Sequence, residues 1–166
     1  MFSKIFPKIH AEGYKFLVIA AIITVVLYNF SSFFGLIGFV LTIWVYYFFR
    51  DPERVIIEND NYLVSPADGE VIKVEEVDGP KELGLENKKY TKVSIFMNIF
   101  DCHVNRSPCS GVISEILYKP GKFFNASLDK ASEDNERNYY KIKNSEGQDI
   151  IAVSYTHLTL PTICSV

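Results

Sequence analysis

The first third of the chain contains a long apolar stretch. No Asp, Glu, Lys, Arg or His occurs between residues 16 and 49. A membrane-spanning helix needs about 20 apolar residues, so this stretch is too long for one upright helix and slightly short for two of standard length. Asn29 and the pair Ser31-Ser32 divide it into two runs. The pattern predicts a transmembrane helical hairpin over 16–49, preceded by an N-terminal cytoplasmic segment over 1–15.

Basic residues on both sides of the apolar stretch predict its orientation. They are Lys4, Lys8 and Lys15 before it, and Arg50 and Arg54 after it. Because positively charged flanks stay on the cytoplasmic side, both ends are expected there, with the soluble part facing the cytoplasm from the inner membrane. One long tilted helix is a minor alternative. A buried core hairpin would need a polar face, and a signal peptide would have a shorter apolar region.

The rest of the chain alternates between short strands and turns. Asp78-Gly79-Pro80 and Ser145-Glu146-Gly147 are turn signals. We expect a mainly β soluble domain over 50–153, sandwich-like and following the hairpin. Runs rich in Val, Ile, Phe and Tyr predict strands over 62–65, 70–77, 89–100, 111–118, 139–144 and 148–153.

Two segments of the β region share one pattern. SPADG (65–69) leads into one predicted strand, and SPCSG (107–111) leads into another. Each copy is typical of a turn followed by a strand, with a Gly that tolerates backbone conformations other residues resist. The pattern predicts two pseudo-repeated strand–turn halves, although two copies alone also fit coincidence. If the halves are related, the two turns converge in space.

These turns carry the residues best suited to chemistry. Asp68 lies in the first turn, and His103 lies just ahead of the second. An Asp–His pair is a standard way to orient an imidazole for general acid–base work, and a guanidinium at Arg106 suits phosphate or carboxylate. On spacing alone the ordinary explanation is strong. Asp before Gly is common turn chemistry, and a lone His after a strand is often a structural hydrogen-bonding residue.

Charge and cysteine content narrow the function classes. The net charge of −3 gives no reason to expect nucleic-acid binding. The three cysteines, Cys102, Cys109 and Cys164, are an odd number without metal-ligand spacing. We therefore expect free thiols in a reducing compartment and no metal site.

Longer motifs connect these features. They are RDPER (50–54), VSPADGEV (64–71), FMNIFDCHVNRSPCSG (96–111) and YKPGKFFNASLDKASEDNERN (118–138). With the preceding hairpin, and from about His10 to Val153, the chain resembles the short form of the phosphatidylserine decarboxylase family. The resemblance implies a membrane-bound carboxy-lyase that converts phosphatidylserine to phosphatidylethanolamine. It also implies a protein-derived pyruvoyl cofactor, which draws electrons from the breaking bond through a Schiff base with the substrate amine.

The same resemblance implies roles for single residues. Asp68 would orient or activate the self-cleavage machinery, and His103 would assist decarboxylation or reprotonation of the carbanion. Long-form members carry a second His where this chain has Arg106, so the long-form Asp-His-Ser assignment does not transfer intact. Arg106, Lys122 and Asn125 are the candidate substrate-binding residues. The implied partners are a phospholipid substrate, the membrane, the α chain released by self-cleavage and a second copy in a homo-oligomer.

The end of the chain departs from the family pattern. Family members form the pyruvoyl group at a Gly-Ser bond near the C-terminus, and no Gly-Ser dipeptide occurs in these 166 residues. We therefore expect a chain truncated before the pyruvoyl-forming Ser, with 154–166 a non-native tail in which His157 and Cys164 carry no functional weight. This exact polypeptide would then be inactive.

Two other function classes stay open. SLDKAS (127–132) is similar to a lipoyl attachment sequence, which would make the chain a membrane-tethered biotinyl or lipoyl carrier with Lys130 as acceptor. Lys130 follows both halves, however, instead of lying between them. A catalytically dead lipid-binding module would instead use Lys119, Lys122 and Arg106 to bind anionic head groups.

Overall fold

Two antiparallel helices begin the fold. The computed structural model describes residues 6–56, 62–122 and 134–155, together with the backbone of 163–164. Helix α1 spans Gly13–Phe30 and α2 spans Ser32–Phe48. Ser31 between them has an extended backbone, and its hydroxyl accepts a hydrogen bond from the N–H of Phe33 at 3.2 Å. The predicted helical hairpin is therefore confirmed, and the single long helix is wrong.

Small residues allow the two helices to pack closely. A Cβ atom on Gly35 would lie 2.6 Å from the Tyr28 ring, and one on Gly38 would lie 2.9 Å from the Thr24 hydroxyl. The hydroxyls of Thr24 and Thr42 are 2.9 Å apart, which adds an interhelical hydrogen bond. Small side chains and hydroxyl pairs are the usual means by which helices associate in lipid.

The helix lengths suit a membrane. The 18 residues of α1 make it long and apolar enough to cross one, and α2 is a slightly shorter apolar helix of 17 residues. At 1.5 Å per residue an 18-residue helix is about 27 Å long, close to the ~30 Å of a bilayer's hydrocarbon core. Most large apolar side chains of both helices are exposed.

The remaining described elements are mainly strands, which confirms the predicted mainly β domain. β1 and β2 form an antiparallel pair, β4, β5 and β6 form a three-stranded antiparallel sheet, and β3 pairs in parallel with β7. A 3₁₀ turn over Lys81–Leu83 follows β1. The strands are β1 Glu70–Asp78, β2 Lys89–Phe96, β3 Val104–Asn105, β4 Gly111–Lys119, β5 Arg137–Asn144, β6 Asp149–Tyr155 and β7 Ile163–Cys164.

Two strand predictions fail for local reasons. Residues 62–65 do not form a strand, because apart from one backbone bond at Val64 they run beside the turns without a continuous partner. The predicted strand over 89–100 ends at Phe96, since the chain then turns. The N–H of Asp101 donates to the carbonyl of Asn98 at 2.8 Å and closes that turn. The short strands β3 and β7 were not predicted.

The two strand–turn halves repeat in geometry as well as in sequence. A Cβ atom on Gly69 would collide with the carbonyl oxygen of Phe96, and one on Gly111 would collide with that of Lys143. The glycine before β1 thus allows β1 to approach β2, and the glycine that begins β4 allows β4 to approach β5. A register shift follows each glycine at the same position, between Val71 and Lys73 in β1 and between Ile113 and Glu115 in β4.

The two halves meet at the ends of the strands away from these glycines. Leu83 and Leu85, which follow β1, are buried together with Tyr139 of β5. Glu82 joins the halves by ion pairs with Lys119 at 2.6 Å and with Arg137 at 3.3 Å. Partly buried side chains that complete the cluster are Tyr90, Leu117, Ile151 and Val153.

Candidate active site

The two Ser-Pro turns are hydrogen-bonded directly to each other. The N–H of Val64 donates to the carbonyl of Pro108, and the N–H of Arg106 donates to the carbonyl of Pro66, both at 2.8 Å. Val64 and Arg106 are equivalent positions of the two repeats, as are Pro66 and Pro108, so the two bonds are reciprocal. Within each turn the Ser hydroxyl donates to the carbonyl two residues on at 2.7 Å, from Ser65 to Ala67 and from Ser107 to Cys109.

His103 is buried against the end of the helical hairpin. It is only 5% exposed, and Phe48, the last residue of α2, is 1% exposed. The two rings stack with their centroids 4.0 Å apart and an interplanar angle of 19°. The N–H of His103 also donates to the carbonyl of Phe48 at 3.4 Å. The histidine singled out by the sequence thus packs directly on the apolar helices.

The surroundings of this imidazole select one neutral tautomer. Its Nδ1 lies 3.0 Å from the carbonyl oxygen of Asp101. Because a carbonyl oxygen only accepts hydrogen bonds, Nδ1 carries the proton and Nε2 has the free lone pair. Burial lowers the pKa of His103, while the bond to Asp101 acts in the opposite direction. The lowered pKa favours the neutral ring, in which Nε2 carries the lone pair and can act as a base.

Asp68 pairs with Arg54 instead of with this histidine. Its carboxylate forms an ion pair with Arg54, and among the residues that the structure describes no hydrogen bond joins it to the imidazole. Burial is the main cause that raises the pKa of the Cys102 thiol, and the negative charge of Asp68 raises it further. The Asp68 carboxylate is thus close enough to influence the charge state of Cys102, the residue before His103.

The guanidinium of Arg106 is held by the segment that follows α2. It forms an ion pair with Asp51 and donates to the carbonyl of Pro52 at 2.6 Å. These contacts connect the second turn to the segment that leaves α2. Its predicted role in substrate binding stays a prediction.

Sequence reasoning missed the role of segment 50–54. Arg50 donates to the carbonyls of Tyr47 at 2.7 Å and Phe100 at 3.0 Å, so it ties the end of α2 to the loop before His103. Asp51 and Arg54 then hold the two turns through Arg106 and Asp68, respectively. The sequence signal was the cluster of charges in RDPER, whose arginines were interpreted only as basic flanks of the apolar run and whose motif contributed only to the family resemblance.

The other candidate residues contribute less to this site. Lys122 is exposed, with its ammonium 3.7 Å from Asp134. Asn125, Lys130 and His157 lie outside the described residues. Within the described ranges, no cluster of three or more His, Cys, Asp or Glu side chains is arranged to hold a metal ion. Cys102 and Cys109 are free thiols.

Known proteins resemble this chain over most of its length. The sequence profile described as "Phosphatidylserine decarboxylase" matches residues 41–163, which extends past Val153. Three proteins named phosphatidylserine decarboxylase proenzyme are similar to it. The protein of Pelagibacter ubique is 73% identical over 158 residues, covering 95% of this chain and 74% of that protein. The protein of Ruegeria pomeroyi is 52% identical, covering 90% of this chain and 68% of that protein. The protein of Cereibacter sphaeroides is 46% identical, covering 100% of this chain and 72% of that protein.

The site and the comparisons agree. The aspartate turn, the histidine segment and the apolar hairpin lie together in the fold, and both the profile match and the high identities cover the residues that form them. The chain therefore belongs to the phosphatidylserine decarboxylase family of carboxy-lyases.

Proposed function

We propose that this protein takes part in the decarboxylation of phosphatidylserine at a membrane surface, with His103 moving the proton. The observation that carries the proposal is the stack of His103 on Phe48, which places a neutral imidazole at the boundary between the apolar hairpin and the β domain. A phospholipid head group enters such a boundary while its acyl chains remain in the bilayer.

The hairpin is proposed as the membrane anchor, with both ends on the cytoplasmic side of the inner membrane. The N–H of His10 donates to the carbonyl of Phe49 at 3.0 Å, and the N–H of Asp51 donates to that of Lys8 at 2.7 Å. The chain entering α1 and the chain leaving α2 therefore lie side by side. The basic residues near these two chain segments, at the open end of the hairpin, favour the cytoplasmic side.

The reaction requires an electron sink and a mobile proton. The pyruvoyl group of the family, when bound, supplies the sink for the electron pair left by departing CO₂. The residues present fit such a group, because Cys102, His103 and Val104 are all buried and exclude water beside the imidazole. The group would lie against His103.

His103 can then move one proton in both directions. Neutral Nε2 accepts a proton from the substrate ammonium, which leaves an uncharged amine that can react. After the bond between the α carbon and the carboxylate breaks and CO₂ leaves, the imidazolium returns that proton to the α carbon. The lowered pKa of His103 favours this return, because a weaker base releases its proton more readily.

Asp68 is proposed to act in forming the cofactor. Its ion pair with Arg54 fixes the carboxylate at the turn that touches the histidine segment. In that position it would orient the self-cleavage machinery, and a smaller chain released by cleavage would carry the pyruvoyl group. Association of two copies of the protein stays a prediction.

The two alternative functions receive less support. The acceptor proposed for a carrier, Lys130, lies outside the described residues, and the relatives are named as decarboxylase proenzymes. A lipid-binding module would need free cations, but Lys119 pairs with Glu82 at 2.6 Å and Arg106 pairs with Asp51. These partners reduce the positive potential that would attract anionic head groups.

Labelled lipid tests the proposed reaction. The chain, together with its pyruvoyl-bearing segment, is reconstituted into vesicles of phosphatidylserine labelled in the serine carboxyl group. We expect labelled CO₂ and phosphatidylethanolamine in equal amounts, and no CO₂ from vesicles of phosphatidylcholine. Absence of CO₂ release from processed protein would contradict the proposal.

A further inference from the structure

The loop before His103 exposes two large apolar side chains at the tip of a tight turn. The N–H of Asp101 donates to the carbonyl of Asn98 at 2.8 Å, and the N–H of Asn98 donates to the Asp101 carboxylate at 2.8 Å. Ile99 and Phe100 occupy the two central positions and are 44% and 68% exposed. Gly, Pro, Asn, Asp and Ser normally dominate turns. Two large apolar side chains at the tip of a turn that faces only water would therefore be unfavourable.

The turn is fastened to the end of α2. The Arg50 guanidinium donates to the carbonyl of Phe100 at 3.0 Å and to the carbonyl of Tyr47 in the last helical turn at 2.7 Å. Two residues later, the Cys102 thiol donates to the carbonyl of Arg50 at 3.0 Å. These bonds keep the backbone of Phe100 beside the end of α2, a helix whose large apolar side chains are mostly exposed.

We propose that the Ile99–Phe100 turn inserts into the bilayer interface beside the hairpin and acts as a second lipid contact next to His103. This inference rests on the membrane anchoring proposed above. Aromatic side chains favour the interfacial region of a bilayer. Asn98 and Asp101 close the base of the turn, so only the side chains of Ile99 and Phe100 would enter that region. The partner is a lipid surface, because Arg50 ties the turn to the end of the helix pair that is proposed to lie in the bilayer.

Insertion would fix the depth of the active site. His103 follows Phe100 by three residues and is held by Phe48 at the helix end. A turn anchored at the interface therefore holds the imidazole at the level of the lipid head groups. A phosphatidylserine amine and carboxylate would reach the ring without the lipid leaving the bilayer.

Tryptophan fluorescence in the full chain tests the insertion. Trp44 in α2 is the only tryptophan, so a Trp44→Phe background allows one probe at a time and keeps an aromatic ring beside Phe48. Phe100→Trp in this background is reconstituted into vesicles of brominated phosphatidylcholine. We expect bromines near the head groups to quench its emission more than bromines near the chain ends.

Two controls separate the outcomes. Glu86→Trp in the same background places an exposed probe beyond β1, whose nine residues span about 30 Å from Gly69, and we expect no quenching there. Trp44 in the parent chain reports the anchor itself. If Trp44 is quenched while Phe100→Trp is not, or if Glu86→Trp is quenched equally, the turn inference is overturned. If Trp44 is not quenched, the proposed anchoring fails instead.

Discussion

The imidazole of His103 and the phenyl ring of Phe48 lie nearly parallel, with their centroids 4.0 Å apart. Phe48 is the last residue of the apolar hairpin, and His103 belongs to the loop between β2 and β3. One wall of the proposed proton-transfer site is therefore the end of an exposed apolar helix. A shift of that helix would move the ring, which links the proposed membrane anchor to the proposed chemistry.

Replacing Phe48 by Leu should raise the pKa of His103. The smaller side chain removes the stacked ring and admits water, and burial is the main cause of the lowered pKa. The titration of the His103 ring proton by NMR in detergent micelles measures the change. Phe34→Leu, an exposed position on the same helix, is the matched control and should leave that pKa unchanged. Equal pKa values in both variants would refute the assignment of Phe48.

The stability of the folded chain should fall as the pH drops below about 6.5, the value for an unfolded histidine. The folded state depresses the pKa of His103, so the unfolded state binds the proton more readily. Stability is then highest above the unfolded pKa and decreases as the pH falls toward the folded value. Chemical unfolding in micelles between pH 5 and 8 measures this dependence.

The variant His103→Gln provides the control for this pH dependence. It should remove the decrease below about pH 6.5. Lys88 and Lys119 lower the pKa of Asp149 and Glu82, respectively, and these carboxyls lose stabilisation only below their unfolded values of 3.8 and 4.5. The loss of stability that these two carboxyls cause therefore falls in a lower pH range than the loss caused by His103. An identical pH curve for wild type and His103→Gln would show that other groups cause the loss.

Alanine at Gly69 or Gly111 should destabilise the β domain by about 1–3 kcal/mol. In each case the added methyl group meets a carbonyl oxygen of the facing strand, that of Phe96 or of Lys143. Thermal or chemical denaturation measures the loss, and Ser110→Ala on the adjacent exposed position is the control. Because the repeats are equivalent, the two glycine variants should behave alike. A large loss at only one of them would argue against the repeat.

The ion pair of Arg54 with Asp68 should matter more for activity than for stability. Both side chains are well exposed, at 47% and 38%, so a double-mutant cycle with Arg54→Gln and Asp68→Asn should give a coupling of about 0.2–1 kcal/mol in unfolding free energy. Self-cleavage of the chain extended by its pyruvoyl-bearing segment, followed on gels, should decrease strongly in Asp68→Asn. Normal processing in that variant would contradict the proposed role of the carboxylate.

Local patterns in the sequence were enough to predict the hairpin and the strand–turn halves. A polar break at Ser31 and a repeated Ser-Pro-x-x-Gly are short-range signals, and His103 could be found from them and from the family motifs. The contacts of Arg50 with Phe100 and of Asp51 with Arg106 join positions about fifty residues apart. No local pattern encodes such pairs, so their discovery required the fold.

The end of β2 shows why one prediction failed. The apolar run through Phe100 was interpreted as a strand by composition, but Asn98 and Asp101 close a turn with their side chains. Capping by polar residues outweighs β propensity when the chain has no facing strand. The side chains at the tip of that turn, Ile99 and Phe100, are the ones that we propose to enter the bilayer interface.

The central claim is that Nε2 of His103 moves the proton during decarboxylation. The most direct measurement is the rate of labelled CO₂ release per processed chain for wild type and His103→Gln, each together with its pyruvoyl-bearing segment, in phosphatidylserine vesicles, with Cys109→Ser as control. We predict a decrease of about 10²–10⁴-fold for His103→Gln, and a rate close to wild type for Cys109→Ser. Release of CO₂ by processed His103→Gln at the wild-type rate would contradict the claim.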